Sequence, residues 1–360
     1  MIFLYKISLK HYDEVSDDFM ELVNTTFSLE RDANYFKWKY VDNPSNPSEP
    51  VLVVAHCNNK LVGVRPFMPV KLCINNNIVL AAQPCDTAVD EKYRNKGVFT
   101  SMNKELLEYC KKENYSIVYN FPGYMSRRGY MNLGWTNIGE LEKMFIINDI
   151  KNISRNKLLS IYKIINHIYP SPSKTNNPYI KNESNSDKYN IIISKEAKID
   201  PPCQDLSVEK NISLFRNKSF LRWKFDDHPI NDYKYVYAYN GKECSGYAII
   251  NNKCHKNINY GSIEDLVIFE RDLDLFSTLI HQSILNLHHT DIIMMISPND
   301  NEKRNILLNY FKFKSSLSIP FKKIFRSSII VVKGLNNNIS SAKNIYEYND
   351  WDMSYAYRDR

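Results

Sequence analysis

Glycine is scarce, with ten in 360 residues, and no apolar run approaches the roughly 18 to 20 residues that a membrane-spanning helix requires. Seven cysteines, an odd number without a Cys-x-x-Cys pair, argue against a disulfide framework and for reduced, mostly buried thiols. Cys254-His255 and His288-His289 are the only clusters of metal-ligand type, and neither has zinc-site spacing, so no metal is expected. The opening Met1-Ile2-Phe3-Leu4-Tyr5-Lys6 lacks the basic start and long apolar stretch of a signal peptide; Ile2 to Leu9 reads as a first strand and the protein as cytoplasmic.

What is present has globular proportions, 43% hydrophobic and 24% charged, in a chain long enough for two domains of ordinary size. The net charge of +7 is uneven: residues 1–150 carry 17 Lys and Arg against 18 Asp and Glu, whereas 151–200 carry 9 against 4. That segment reads as a solvated basic face. The alternative is a grip on an anionic glycan, membrane surface or nucleic acid, which would make the protein a non-catalytic binding module.

The stretch Gln83 to Thr100 organises the rest. Ile78 to Ala82 and Thr87 to Val89 suit a buried strand, and Pro84 between them cannot donate to a ladder, so the strand is expected to bulge or splay there. Arg94-Asn95-Lys96-Gly97 then leads into Phe99, Met102, Leu106, Tyr109 and Cys110, apolar residues at helical spacing. A strand, a glycine-bearing basic loop and a helix start offer unpaired N–H groups to a phosphate or diphosphate.

Arg94-x-x-Gly97-x-Phe99 resembles the Arg/Gln-x-x-Gly-x-Gly/Ala loop of the GNAT acyl-CoA N-acyltransferases, with Phe99 departing from the small last residue. After the helix and a strand at Ser116 to Asn120, the run Arg128-Gly129-Tyr130-Met131-Asn132-Leu133-Gly134-Trp135 resembles the family's Phe-Tyr-x-x-x-Gly-Phe segment, with Gly129 in place of the first aromatic. The resemblance implies acetyl-CoA as cosubstrate and an amine as acceptor, an amino sugar or another small amine, with no nucleic acid and no transmembrane segment. It implies that backbone groups of Thr87, Ala88 and Val89 hold the acyl carbonyl. The loop Arg94, Asn95, Lys96, Gly97, Val98, Phe99 and Thr100 would hold the diphosphate, and Tyr130 would protonate the leaving thiolate. Asp86 is the candidate base or acceptor-orienting carboxylate, and reads equally as a turn aspartate. Asn120 is a candidate for the pantetheine amide and equally a cap of the following turn. Arg65, Trp38 and Trp223 either line an acceptor cleft or pack in the core.

Along the chain, Tyr12 to Phe27 reads as a helix, Tyr35 to Tyr40 as a short one halted by Asp42-Asn43-Pro44, and Val51 to Ala55 with Leu61 to Phe67 as a hairpin across Asn58-Asn59. Leu158 to Ile168 suggests an amphipathic helix, and Ser173 to Lys188 an exposed polar stretch. Phe220-Leu221-Arg222-Trp223-Lys224-Phe225-Asp226-Asp227-His228-Pro229 then echoes Tyr35 to Pro44 position for position. A hairpin across Asn240-Gly241, a strand at Ile263 to Phe269, a helix at Leu273 to Leu287 and a strand at Ile292 to Ile296 follow in the same order. The expectation is an α/β (α+β) protein of two GNAT-like mixed-sheet domains with flanking helices, in tandem: 1–150, a basic helix and polar linker over 151–205, and 206–360. The second loop, Glu270-Arg271-Asp272-Leu273-Asp274, has three acids and no glycine, so the second unit is expected to be degenerate.

Overall fold

Helix α1 (Tyr12–Phe27) forms because Tyr12, Val15, Phe19 and Val23 fall on one face and are buried. Its start is fixed by Glu14 Oε1, which accepts from the His11 amide at 2.8 Å. The face packs on an antiparallel sheet of β1 (Lys6–His11), β2 (Val51–Cys57), β3 (Lys60–Arg65) and β6 (Ala88–Val89), in the order β1-β2-β3-β6. Asn58 and Asn59 turn β2 into β3 with φ of 50° and 63°, as a two-residue hairpin requires. The computed structural model describes residues 5–149, 188–201, 211–318, 321–323, 328–335 and 343–358. The expected helix at Leu158 to Ile168 and nearly all of the polar stretch after it lie outside these residues.

The first half continues through β4 (Phe67–Ile74), β5 (Asn77–Pro84), α3 (Val98–Lys112), β7 (Ile117–Asn120), α4 (Tyr124–Asn132), β8 (Thr136–Leu141) and β9 (Lys143–Ile147). The second supplies β10 (Asn190–Ser194), β11 (Ile212–Leu214), β12 (Tyr233–Asn240), β13 (Glu243–His255), β14 (Ile258–Ile268), a helix over Leu273–Asn286, β15 (Ile292–Ile296), β16 (Lys314–Ser315) and β17 (Ser328–Gly334). Two larger sheets result, ordered β11-β4-β5-β7-β17-β8 and β10-β12-β13-β14-β15-β9-β16.

The halves exchange strands reciprocally. Strand β17, from the end of the chain, lies antiparallel between β7 and β8, with Val331 opposite both Asn120 and Asn137. Strand β9, from the first half, lies antiparallel between β15 and β16, with Phe145 opposite both Met294 and Lys314. The sheets therefore cross the expected divisions at residues 150 and 206.

The sequence echo is also an echo of structure. In the first half α2 (Ala33–Phe36) runs into a π-helical turn, Lys37–Val41; in the second a four-residue helix, Lys218–Leu221, runs into another, Arg222–Asp226. Asp32 caps the first by accepting from the Tyr35 amide, and Asn217 caps the second by accepting from Phe220. Trp38 and Trp223 face each other inside one hydrophobic core that also holds Phe19, Tyr40, Phe225, Trp351 and Tyr357. Both tryptophans are packing residues.

Candidate functional site

Pro84 ends β5 as its sequence suggests. Cys85, Asp86 and Thr87 bridge to β6, and Asp86 takes φ of +40°, a conformation costly for a residue with a side chain. Strands β5 and β7 pair in parallel only at Ala81 with Ile117 and Ala82 with Val118, and part beyond that point. Among the described residues strand β6 pairs with β3 alone, so its other edge is unpaired. This edge carries Ala88 and Val89, with Thr87 directly before them.

The loop before α3 lies where the sequence predicts. Gly97 is the helix N-cap at φ of +83°, which favours glycine, and among the described residues no side chain caps the first turn, so amides of Val98, Phe99 and Thr100 lack the partners that a capping oxygen gives. Tyr5 Oη braces the loop by donating to the Lys96 carbonyl at 3.3 Å, and lies 3.1 Å from Ser101 Oγ. Arg94, Asn95 and Lys96 are exposed; Arg94 Nε donates to the Val89 carbonyl at 3.1 Å, tying the loop to β6.

In the second half the helix that follows β14, α5 (Leu273–Asn286), begins differently. Asp272 caps it, its carboxylate accepting from the Asp274 and Leu275 amides while also meeting Lys188 Nζ at 2.6 Å. These hydrogen bonds hold the Asp272 carboxyl down to about 2, overcoming the opposing effect of burial. That helix start is closed by a negative charge. The gap between β14 and β15 is lined by Asp352, Met353 and Ser354 from the end of the chain, around a cavity of about 40 Å³. Behind it Asp265 makes a bidentate pair with the buried Arg216 at 2.7 and 3.1 Å.

Tyr130 lies on α4 with its ring edge-on to Trp135 and Phe99 and is 2% exposed. Its oxygen accepts from Arg65 Nη2 at 3.1 Å and from Asn120 Nδ2, which leaves the phenolic proton free to be given elsewhere. Asn120 Oδ1 accepts from the Phe121 amide at 2.7 Å, so this side chain both caps its turn and touches Tyr130.

The two departures from the family pattern meet in space. A Cβ placed on Gly129 would come 2.7 Å from Phe99 Cε1; the ring that is too large for the loop motif occupies the volume that an aromatic at 129 would need. Phe99 therefore packs over α4 and under Arg65, whose Cζ is 5.1 Å from its centroid, and does not block the first turn of α3 as a cap would.

Arg65, read from the sequence as either lining an acceptor cleft or packing in the core, is fully buried beneath Tyr130. Its Nη1 donates to Thr87 Oγ1 at 3.1 Å and Nη2 to Asn103 Oδ1 at 2.6 Å, joining β3, the β6 edge, α3 and α4. No carboxylate pairs with it among the described residues. Asp86 accepts from Lys39 Nζ at 2.6 Å and from Tyr40 Oη at 2.7 Å, both on Oδ2. Burial, and then Asp86, push the Tyr40 phenol well up, so it stays a donor. Lys39, Tyr40 and Asn103 were not singled out from the sequence. The available signals were the Lys39/Lys224 correspondence in the repeat, both buried, and Asn103 as a polar residue on the buried stripe of α3.

Residues 10–138 match the family profile described as an acetyltransferase (GNAT) domain. No curated protein matches the sequence. The fold is similar to that of a conserved Enterococcus faecalis protein of unknown function, a probable N-acyltransferase, with TM-score 0.62 and 12% identity over 94% of this chain and 74% of that one. It is similar also to a GCN5-related N-acetyltransferase from Anabaena variabilis, TM-score 0.59 at 12% identity over 92% and 73%, and to one from Kribbella flavida, TM-score 0.59 at 12% over 92% and 71%.

Proposed function

We propose, from the match of residues 10–138 to the GNAT acetyltransferase profile, that this chain is an acyl-CoA-dependent N-acyltransferase acting on a small amine or amino sugar. The observation that carries the reading is the side-by-side placement of three features. The start of α3 has no side-chain cap among the described residues, the β5/β7 gap opens next to it, and the oxygen of a phenol at that gap is held by two donors.

In this reading the amides of Lys96 to Thr100 hold the diphosphate of acetyl-CoA, helped by Arg94 and Lys96 and by the positive end of the helix dipole. The open edge of β6 at Thr87, Ala88 and Val89 holds the acyl carbonyl as negative charge develops on its oxygen. Asn120 orients Tyr130, which is the general acid for the thiolate. Asp86, held by Lys39 and Tyr40, presents Oδ1 to the incoming amine, orienting it or taking its proton. Residues 206–360 form a degenerate second unit, in which the Asp272 cap takes the place of a ligand phosphate, and serve to complete the fold around the first.

The test is a thermal-shift series with acetyl-CoA. The Tm of the wild type rises with the logarithm of ligand concentration, whereas Gly97→Glu, which starts from a lower Tm because φ of +83° strains a side chain there and puts a carboxylate at the mouth of α3, shows no ligand-dependent rise. Equal stabilisation of both would remove the assignment.

A further inference from the structure

Arg65 is a buried guanidinium without a carboxylate partner among the described residues. Its Nε and the Asn103 Nδ2 find no hydrogen-bond partner among the described residues. Leaving a cation so deeply buried without a counter-ion is strongly unfavourable, and the second half shows the usual remedy: Arg216, also buried, is bracketed by Asp265 and Asp352. The ionisable neighbours of Arg65 do not supply a charge. The Cys110 thiol on α3 is pushed up by burial despite the pull of Arg65 and stays neutral. Tyr130 on α4 faces it as a phenol oxygen at 3.1 Å.

We propose that Arg65 is a positioning residue that provides the countercharge for a Tyr130 phenolate formed during acyl transfer, an inference that rests on the acyltransferase reading above. As the amine nitrogen bonds to the acyl carbon, the C–S bond breaks with its electron pair going to sulfur. The Tyr130 O–H proton passes to that sulfur, leaving a phenolate already faced by Arg65 Nη2 and Asn120 Nδ2. The attacking nitrogen loses its proton to Asp86 or solvent, and solvent reprotonates the phenolate. The lone cation of the ground state thus becomes an ion pair only as the leaving group departs, an interaction made in the transition state and not before.

The same charge should act on the product complex, where a thiol meets the phenol over Arg65. Calorimetric titration with CoA in two buffers of different ionisation enthalpy counts protons released on binding; desulfo-CoA, which lacks the sulfur, is the control. The wild type should release a sizeable fraction of a proton with CoA at about pH 7, where a free thiol with pKa near 8.5 is protonated, and none with desulfo-CoA. Arg65→Met should lose the release and bind CoA about tenfold more weakly, the equivalent of one pKa unit, with desulfo-CoA affinity within about twofold; Arg65→Lys should keep part of the release.

A purely structural Arg65 would weaken both ligands together and leave the proton count unchanged, which would overturn the proposal. Binding of both ligands by the wild type with equal proton counts also overturns it, and needs no variant to fold. Failure of the wild type to bind either ligand falls on the acyltransferase reading itself.

Discussion

Trp38 and Trp223 donate to each other's backbone: Trp38 Nε1 reaches the Trp223 carbonyl at 2.6 Å and Trp223 Nε1 the Trp38 carbonyl at 2.7 Å, with the rings stacked at 5.6 Å and 23°. Each π-helical turn leaves a carbonyl off the usual ladder, and the partner's indole satisfies it, so the pair joins the two halves by pseudo-twofold symmetry. Trp38→Ala and Trp223→Ala should each cost about 3 to 5 kcal/mol in denaturant unfolding. The double variant should cost clearly less than the two added together: each change removes only its own indole hydrogen bond, but either one alone abolishes the ring stacking that the pair shares. Strict additivity would contradict the coupling.

His228 packs on Trp38 at 4.3 Å, and its Nδ1 accepts from the Ile230 and Asn231 amides at 3.1 Å each. Protonation would set a donor against two donors, and burial with the nearby Lys224 charge pulls its pKa down from 6.5 to about 3. The unfolded chain therefore binds the proton first as pH falls. Stability from this group is fully present above about pH 6.5 and is lost towards pH 3, at most about 1.4 kcal/mol per pH unit. His228→Gln should flatten that part of the stability-against-pH curve, and an unchanged slope would count against it.

Tyr130→Phe should lower kcat about a hundredfold while leaving the KM for acetyl-CoA within about twofold, because the proton is given only in the transition state. Thiol release with an accepted amine reads both constants. A change confined to KM would make Tyr130 a packing residue.

Gly129→Ala should cost about 1 to 3 kcal/mol, since the new Cβ meets the Phe99 ring at 2.7 Å. Adding Phe99→Ala should recover part of that loss, a compensation readable in Tm. If both changes destabilise independently, the two departures from the family pattern are not linked.

Local chemistry made much of this legible. Pro84 and the Gly97 loop marked the break in the strand and the helix start because both depend on residues next to one another, and the Trp38/Trp223 echo announced the duplication. Contacts set by distant residues were silent: nothing adjacent to Asp86 announces Lys39, 47 positions earlier, or marks Arg65 as lying under Tyr130. Phe99 and Gly129 each read as a defect alone, and only their meeting explains both. The strand exchange was invisible for a related reason. The apolar pattern of Lys143–Ile147 and Ser328–Gly334 fixes a buried strand without naming the sheet that receives it.

That exchange sets an order of events at the ribosome. When Leu141 has emerged, the place between β7 and β8 is still vacant, and Ser328, which begins the strand that fills it, is roughly 190 residues away, about 10 to 40 seconds of synthesis at ordinary rates. Throughout that interval the nascent front half exposes two unpaired sheet edges, a liability for association with other chains. A gene cut between the halves would make that exposure permanent, so the two copies, however alike in origin, can no longer be inherited apart.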